Sequence, residues 1–524
     1  MTIAEALVDE RPLAGDVVAA PPRLEAPPWT RVDTAWLACL ALVLCLILAG
    51  LVARQRLEKD EGYLSAASWL VSQGRLPYRD FVFPQQPYFP LLQAPVLRAV
   101  GPSLPAARVL PALAFAVLGG LLLVFVQRHD GAPSLARWAG AVFCFNTMAL
   151  FWYPRCRQYA FTDLLLFGSF LLVAEAGRAS SRSPAGRQWL CGLAGLAAGG
   201  ALHVRLLVIT AAAVLALAAA RASGVGWSWR QLRAFAVGLA AASLPFAWVA
   251  AQAPREWLYQ AVTLQTRLRP PFEAGAMLRR GSEVLVDFLS QPVPAALWLL
   301  AAWGALSWAR GARPPHAGRR LAWQMLLVLT ATALLCHPTQ AQYLVQTLPY
   351  LVVVAAEPWG RLLVGVADGR RPWARLATGL LLVAVVTAGS KRAVWRIAGD
   401  AADPQLSVVD LAKYQAFMEG RTAPGQSLLT WWPGYLLVSR VVPYPGAELG
   451  QPSERGVGTM SKQEYLAHGL RHPEQTEVDV RSGKPHWVVT GQSSPSAASS
   501  WLEPRYLLRG RFGGIRVYER RPDA

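Results

Sequence analysis

Charge is scarce in this chain: only 16% of its 524 residues are Asp, Glu, Lys or Arg, whereas 54% are hydrophobic and 21 are tryptophan. Soluble globular chains carry about a quarter charged residues, so the deficit excludes that class and leaves a multi-pass membrane protein. Cysteine is sparse as well. Its six positions, Cys39, Cys45, Cys144, Cys156, Cys191 and Cys336, lie in or beside apolar runs, and none follows residue 336. The lack of CxxC spacing excludes a cysteine metal site of that kind, and the C-terminal region has no disulfide. Acidic residues are the rarer sign, 32 against 51 basic ones, for a net charge of +19. In a soluble protein that excess would point to nucleic acid. Here Arg and Lys sit in short clusters between apolar runs, the pattern of membrane topology, and no nucleic-acid partner is expected. The first 33 residues are polar, rich in Pro and Ala, and acidic at Glu5, Asp9, Glu10 and Asp16. They are expected to form a disordered cytosolic tail rather than a targeting peptide.

What is abundant is apolar sequence at helix length. Runs recur near residues 34–53, 104–126, 138–153, 159–177, 188–203, 204–220, 234–251, 292–309, 321–336, 342–357 and 374–390. At about 20 residues per crossing they predict a mainly α, polytopic protein of about eleven transmembrane helices over residues 34–390. Arginines crowd the short loops at Arg128/Arg137, Arg178/Arg182/Arg187, Arg221/Arg230/Arg233, Arg310/Arg313/Arg319/Arg320 and Arg361/Arg370/Arg371/Arg375, which assigns that side to the cytosol. The long loops 54–103 and 252–291, and everything after residue 390, then face outward. Gly192, Gly195, Gly199 and Gly200 share one span at small-residue spacing and predict close helix packing.

The first outer loop reads as structured. Tyr63, Ala67 and Leu70 fall at i, i+4 and i+7 before Gly74 and Pro77, which predicts a short helix with one apolar face on the membrane. Phe81, Phe83, Tyr88 and Phe89 then form an aromatic cluster of the kind found at bilayer interfaces, with Pro84, Pro87 and Pro90 preventing a long helix. Loop 252–291 repeats the pattern with Trp257, Tyr259, Pro270-Pro271 and several arginines. Beyond Lys391 the apolar runs shorten to strand length. SLLTWW, HWVVTG, RYLLRG and GGIRVYERR read as strands, the last two joined by Gly513-Gly514, and 405–419 and 461–470 as helices. Residues 391–524 are therefore expected to form a small extracytoplasmic α/β domain.

The chain leaves its first span through Arg54, Gln55, Arg56 and Lys59 and immediately presents Asp60-Glu61. Carboxylates at that depth reach both a water-soluble hydroxyl and a lipid head group; the plainer reading is a solvated loop charge. The stretch DEGYLSAASWLVSQGRLPYRDFVFPQQPYFPLLQAP, residues 60–95, resembles the first outer loop of C-type glycosyltransferases of the family 39 and protein O-mannosyltransferase kind. That group includes bacterial lipid A aminoarabinose and lipopolysaccharide-core galacturonosyltransferases. The resemblance rests on the acid pair, the YRDF segment and the Pro/aromatic run, and extends to residue 390 only as helix number and loop rhythm. It implies transfer of a sugar from a polyprenyl-phosphate carrier to an acceptor lipid, glycan or protein at the outer face of the cytoplasmic membrane. Asp60 matches the family's catalytic aspartate, and Glu61 is expected to orient the acceptor or to hydrogen-bond the loop.

A departing phosphate needs fixed cations, and guanidinium suits it by donating two parallel hydrogen bonds. The candidates at outer helix ends are Arg155, Arg157, Arg205, Arg267 and Arg269, each of which has the alternative of a side chain anchoring a helix end. Tyr88 of the aromatic cluster is a further substrate-contacting candidate. Asp163, at the start of a span, is expected to pair with Arg157 or to act as a second acidic position. Some relatives bind a divalent ion, which makes Asp163, His203 and His337 metal candidates, although the histidines lack HxxxH-type spacing. Trp431-Trp432-Pro433-Gly434-Tyr435 invites comparison with the WWDYG acceptor motif of oligosaccharyltransferases, but its aspartate is missing and the order differs. The pair otherwise reads as core and rim of a strand. Two competing readings remain at this point: a transporter or flippase of a lipid-linked glycan, against which the single-sided polar residues and the soluble domain argue, and an inactive assembly subunit.

Overall fold

A computed structural model describes residues 31–130, 133–178, 183–222, 226–267, 273–310, 315–336, 339–367, 384–395, 397, 407–450 and 460–522. The tail over 1–30, Arg269, Pro270-Pro271, His337 and most of the 374–390 stretch lie outside the described residues. Among these residues five helices are long and apolar enough to cross a bilayer: Thr34–Arg54, Leu104–Asp130, Tyr159–Arg178, Trp229–Gln252 and Pro292–Ala309. Pro184–Val204, Ala317–Leu335 and Leu348–Ala367 have similar lengths.

Three expected spans are interrupted, each for a local reason. Within 138–153, Asn146 ends the Pro133–Cys144 helix and caps a new one, Thr147–Trp152, by accepting hydrogen bonds from the amides of Met148 and Ala149. The 342–357 stretch begins as a 3-10 turn, Ala341–Thr347, and becomes α-helical only at Leu348, where Pro349 falls in the first turn. The 204–220 stretch starts with Arg205 in extended backbone and a short turn, Leu206–Val208, before the Ile209–Ala220 helix. The predicted glycine packing is present where the Pro184–Val204 and Trp229–Gln252 helices cross. A Cβ on Gly195 would stand 1.9 Å from the Phe235 carbonyl oxygen, so only glycine permits the approach.

The two ends of the helices differ. At one end Arg319 pairs with Asp130 and Glu357, and Glu357 with Arg361, which gathers loops that the arginine pattern assigned to one side. At the other lie Asp60, both long loops and the C-terminal domain. Loop 252–291 is largely helical, with Ala274–Ser290 its longest helix. In loop 54–103 the expected short helix is Lys59–Ser72, ended by Gly74 at φ +86. Its environment corrects the expectation of one membrane-facing side: residues 61–68 and Leu70 are all buried. The Tyr88–Val100 helix covers part of it, and the Pro433–Leu436 turn of the C-terminal domain closes over the rest.

That domain is α/β, as expected. Five strands, β1 (Ser427–Thr430), β2 (Val442–Pro443), β3 (Trp487–Thr490), β4 (Tyr506–Phe512) and β5 (Ile515–Arg520), form a sheet of order β2-β1-β3-β5-β4. β1 runs parallel to β2 and β3, and β5 antiparallel to β3 and β4, with Gly513 at φ +55 in the β4–β5 turn. The expected helices are Val408–Arg421 and Lys462–Ala467. The two-residue β2 and the polar Pro473–Arg481 helix gave no apolar pattern to read. Trp432 is fully buried, and its indole Nε1 donates to the Lys59 carbonyl at 3.1 Å. The buried cluster that contains Tyr63 and Leu64 accordingly continues into Trp432, Tyr435 and Trp487.

Candidate active site

The Lys59–Ser72 helix begins where Glu58 caps it, its carboxylate accepting from the amides of Asp60 at 3.1 Å and Glu61 at 3.2 Å. Asp60 thus sits in the first turn, at the positive end of the helix. Arg157, in the turn before the Tyr159–Arg178 helix, donates through Nη1 to Asp60 Oδ2 at 2.5 Å and through Nη2 to Glu58 Oε1 at 2.7 Å. Its side chain is 9% exposed and that of Asp60 27%, so the pair faces a space and is only partly screened by it. Burial raises the Glu58 pKa, and the Arg157 charge lowers it without overcoming that rise.

Glu61, one residue further on, points the other way and is fully buried. Arg108 of the Leu104–Asp130 helix clasps it with Nε at 2.9 Å and Nη2 at 2.7 Å, and the Cys156 amide donates to it at 2.8 Å. Burial by itself would raise the Glu61 pKa, but Arg108 more than offsets it and holds the carboxyl below its usual range. Arg108 also donates to the carbonyl of Gln55 at 2.7 Å and to that of Arg56 at 3.3 Å, so it ties the exit of the first span to the Asp60 helix. Arg155 is buried beside it, 3.8 Å from Glu61 and stacked over Phe151 at 4.2 Å, and burial draws its pKa down to about 10. Neither Glu61 nor Arg155 lines the space that Asp60 faces; of the two roles expected for Glu61, the one it takes here is a hydrogen bond to a loop amide, that of Cys156.

That space is a cavity of about 1150 Å³. One end is polar: Asp60, Arg157, Gln85, Gln158, Arg205 and Tyr343 contribute. The other is apolar, made by Leu206 and Ile209 on one side and Val328, Ala331 and Leu335 on the other. Leu206, Ile209 and Leu335 are each more than half exposed, and Thr210 and Thr332, which also line the cavity, hydrogen-bond each other at 2.8 Å between the Ile209–Ala220 and Ala317–Leu335 helices. Arg205 stands at the junction. Its guanidinium lies over the rings of Tyr159 at 4.5 Å and Tyr343 at 4.6 Å, and it makes no ion pair with a described residue. The extended backbone at Arg205 is what turns this side chain into the cavity, whereas both Nη groups of Arg157 are committed to carboxylates.

The remaining candidates lie elsewhere. Tyr88 donates its hydroxyl to the Ala242 carbonyl and packs on His203, whose ring stacks on Phe246 at 4.6 Å and bonds Ser243 at 2.8 Å. Neither lines the cavity. Asp163 does not pair with Arg157. It accepts from the Tyr153 hydroxyl at 2.7 Å and from Gln346 at 3.3 Å, fully buried. Arg267 pairs with Glu464 of the C-terminal domain at the surface. Among the described residues no three His, Cys, Asp or Glu gather, so Asp163 and His203 do not fit the expected metal-ligand set. Two residues that shape the site were missed. Arg108 carried a signal, a guanidinium inside an apolar run, which has to find a carboxylate. Glu58 carried one too, as a capping acid just ahead of the predicted helix.

No protein-family model and no curated protein matches the chain in sequence. Solved structures do match in fold. ArnT from Cupriavidus metallidurans bound to undecaprenyl phosphate superposes with a TM-score of 0.67 at 15% identity, over 93% of this chain and 98% of that one. The apo state of the same protein gives 0.65 at 16% identity with the same coverage. The chain has the fold of ArnT over nearly its whole length, the C-type glycosyltransferase fold that the first loop resembles.

Proposed function

We propose that this protein is a glycosyltransferase that moves a monosaccharide from a polyprenyl-phosphate carrier to an acceptor hydroxyl on a lipid, glycan or protein. The reaction takes place at the outer face of the cytoplasmic membrane, on the side of the C-terminal domain. One observation carries the reading: a carboxylate and two guanidinium groups line the polar end of a cavity whose other end is lined largely by apolar side chains, several of them exposed, on helices of membrane-spanning character. A phosphate joined to a long apolar chain has that distribution of chemistry. The fold is that of a protein whose structure holds undecaprenyl phosphate.

In this reaction Asp60 accepts the proton of the acceptor hydroxyl as its oxygen bonds to the anomeric carbon. The bond from that carbon to the phosphate oxygen breaks, and the phosphate leaves with the electron pair. A positioned general base contributes about 10²- to 10⁴-fold. Arg205, which has no carboxylate partner among the described residues, takes the developing phosphate charge, and Arg157 supplies a second cation while orienting Asp60. Glu61 and Arg108 act by fixing the helix that carries Asp60. The experiment is a reconstituted assay of the purified protein with a set of polyprenyl-phosphate sugars and acceptor extract, scored by release of polyprenyl phosphate. Release with one sugar donor is expected. Movement of sugar-lipid across the bilayer with no bond cleavage would overturn the proposal.

A further inference from the structure

The C-terminal sheet holds a second cavity, of about 510 Å³. β1 and β3 are parallel neighbours, so the loops that follow them emerge at the same edge of the sheet, where ligands of such sheets collect. The loop after β1 brings Trp432 and Gly434 against Gly62 in the helix of Asp60. The loop after β3, residues 491–497, forms one wall of the cavity, and the β4–β5 turn forms the other. The two loops are joined: the amide of Gln492 donates to the Tyr435 hydroxyl at 3.1 Å.

The walls have a definite chemistry. Arg511 and Arg516 stand directly opposite each other across the β4–β5 pairing, both exposed, and neither forms an ion pair with a described residue. Like charges placed so repel. The same hairpin does provide a carboxylate for Arg509, through Glu519 at 2.7 Å, so the arrangement at 511 and 516 leaves two cations facing the cavity mouth uncompensated. The opposing loop is held in shape, with the Gly491 amide donating to Ser494 Oγ at 2.9 Å and Ser493 in the left-handed region at φ +64. Gln492 lines the cavity as well, and its Oε1, shielded from solvent, has no hydrogen-bond partner among the described residues. Ser493, Ser496 and Ser499 add hydroxyls to the lining, which includes no carboxylate and no aromatic ring. A cation is therefore disfavoured there, and a nucleobase has nothing to stack on. The volume falls in the range of small-ligand sites.

We infer that this cavity binds an anionic saccharide, a sugar bearing a phosphate or a carboxylate, with Arg511 and Arg516 on the anion and Gln492 and the serines on the sugar hydroxyls. If the transfer reaction proposed above holds, the site takes part of the acceptor, because its loop is fastened through Tyr435 to the turn that covers the Asp60 helix. Binding itself does not depend on that reading.

The test is calorimetric titration of the full-length protein in detergent micelles with glucose 6-phosphate, glucuronic acid, glucose and inorganic phosphate. At least one of the two anionic sugars should bind, more tightly than either glucose or phosphate. Which of the two binds identifies the anion. The R511Q/R516Q double variant should lose at least ~10-fold in affinity, as expected for charge-assisted hydrogen bonds. Both side chains are exposed, so the variant should fold, and binding of the polyprenyl-phosphate sugar donor, which reads the Asp60 cavity, should be unchanged. Failure of both anionic sugars to bind, inorganic phosphate binding as tightly as the sugars, or unchanged affinity in the double variant would overturn the inference.

Discussion

Arg108 and Glu61 form a two-point clasp, 2.9 and 2.7 Å, with neither side chain exposed to solvent. Removing one partner of such a pair leaves a buried charge uncompensated, at a cost of about 3–5 kcal/mol. Glu61→Gln is therefore expected to lower the thermal midpoint markedly. Glu61→Gln combined with Arg108→Gln should be destabilised by less than the sum of the two single changes. Because the folded Glu61 carboxyl is held below its usual range, its contribution is present above the ordinary carboxylate pKa of about 4.3 and is lost as pH falls through the lower folded value. Thermal scans in detergent from pH 7 to pH 3 check both points. A Glu61→Gln midpoint equal to that of the unaltered protein at pH 7 would remove the clasp from the account.

Arg205 and Arg157 should separate in kinetics. Arg205→Ala removes a cation that holds no carboxylate among the described residues, so the loss should fall on the donor KM. About 1.5–3 kcal/mol for a charge-assisted hydrogen bond corresponds to roughly 10- to 150-fold. Arg157→Ala also takes an ion-pair partner from both Asp60 and Glu58, so it should lower kcat and the thermal midpoint together. Equal donor KM in Arg205→Ala and the unaltered protein would move the phosphate elsewhere in the cavity.

The C-terminal domain should matter to the chemistry through Trp432. A Cβ at residue 62 would lie 2.4 Å from the indole nitrogen, so Gly62→Ala has to displace either the helix or the ring. Trp432→Phe deletes the 3.1 Å hydrogen bond to the Lys59 carbonyl, worth about 1 kcal/mol. Both variants are expected to lose transfer activity and to gain protease sensitivity between the membrane domain and residue 407. Full activity in Gly62→Ala would show that the turn and the helix do not need their close contact.

Membrane orientation has its own test. The cluster of Asp130, Arg319 and Glu357 and the C-terminal domain lie at opposite ends of the helices. Alkaline phosphatase fused after residue 400 should be active and fused after residue 180 inactive. The reverse pattern would place Asp60 in the cytosol.

Helix-length apolar runs, the glycine-lined crossing and the strand-length segments after residue 391 were legible because each depends on the chain's own periodicity. Asp60 stood out from its place just outside the first span together with the resemblance of its loop, and the structure puts it on the wall of the cavity. What periodicity does not encode is which way neighbouring side chains turn. Asp60 and Glu61 are adjacent in one helical turn, yet one faces the cavity and the other Arg108, a residue that lies in a different span. Arg155 and Arg157 diverge in the same way across a tight turn. The breaks at Asn146 and Arg205 escaped because a polar cap inside an apolar run leaves the hydropathy pattern almost unchanged.

The central claim is that Asp60 is the base for sugar transfer, and Asp60→Asn tests it most directly. The change keeps the size and much of the hydrogen bonding to Arg157 while removing the proton acceptor. In the reconstituted assay with polyprenyl-phosphate sugar and acceptor extract, the variant should insert, keep its thermal midpoint within about 1 kcal/mol of stability, and bind donor. Its release of polyprenyl phosphate should fall by at least ~10². Turnover of Asp60→Asn at the rate of the unaltered protein would contradict the account.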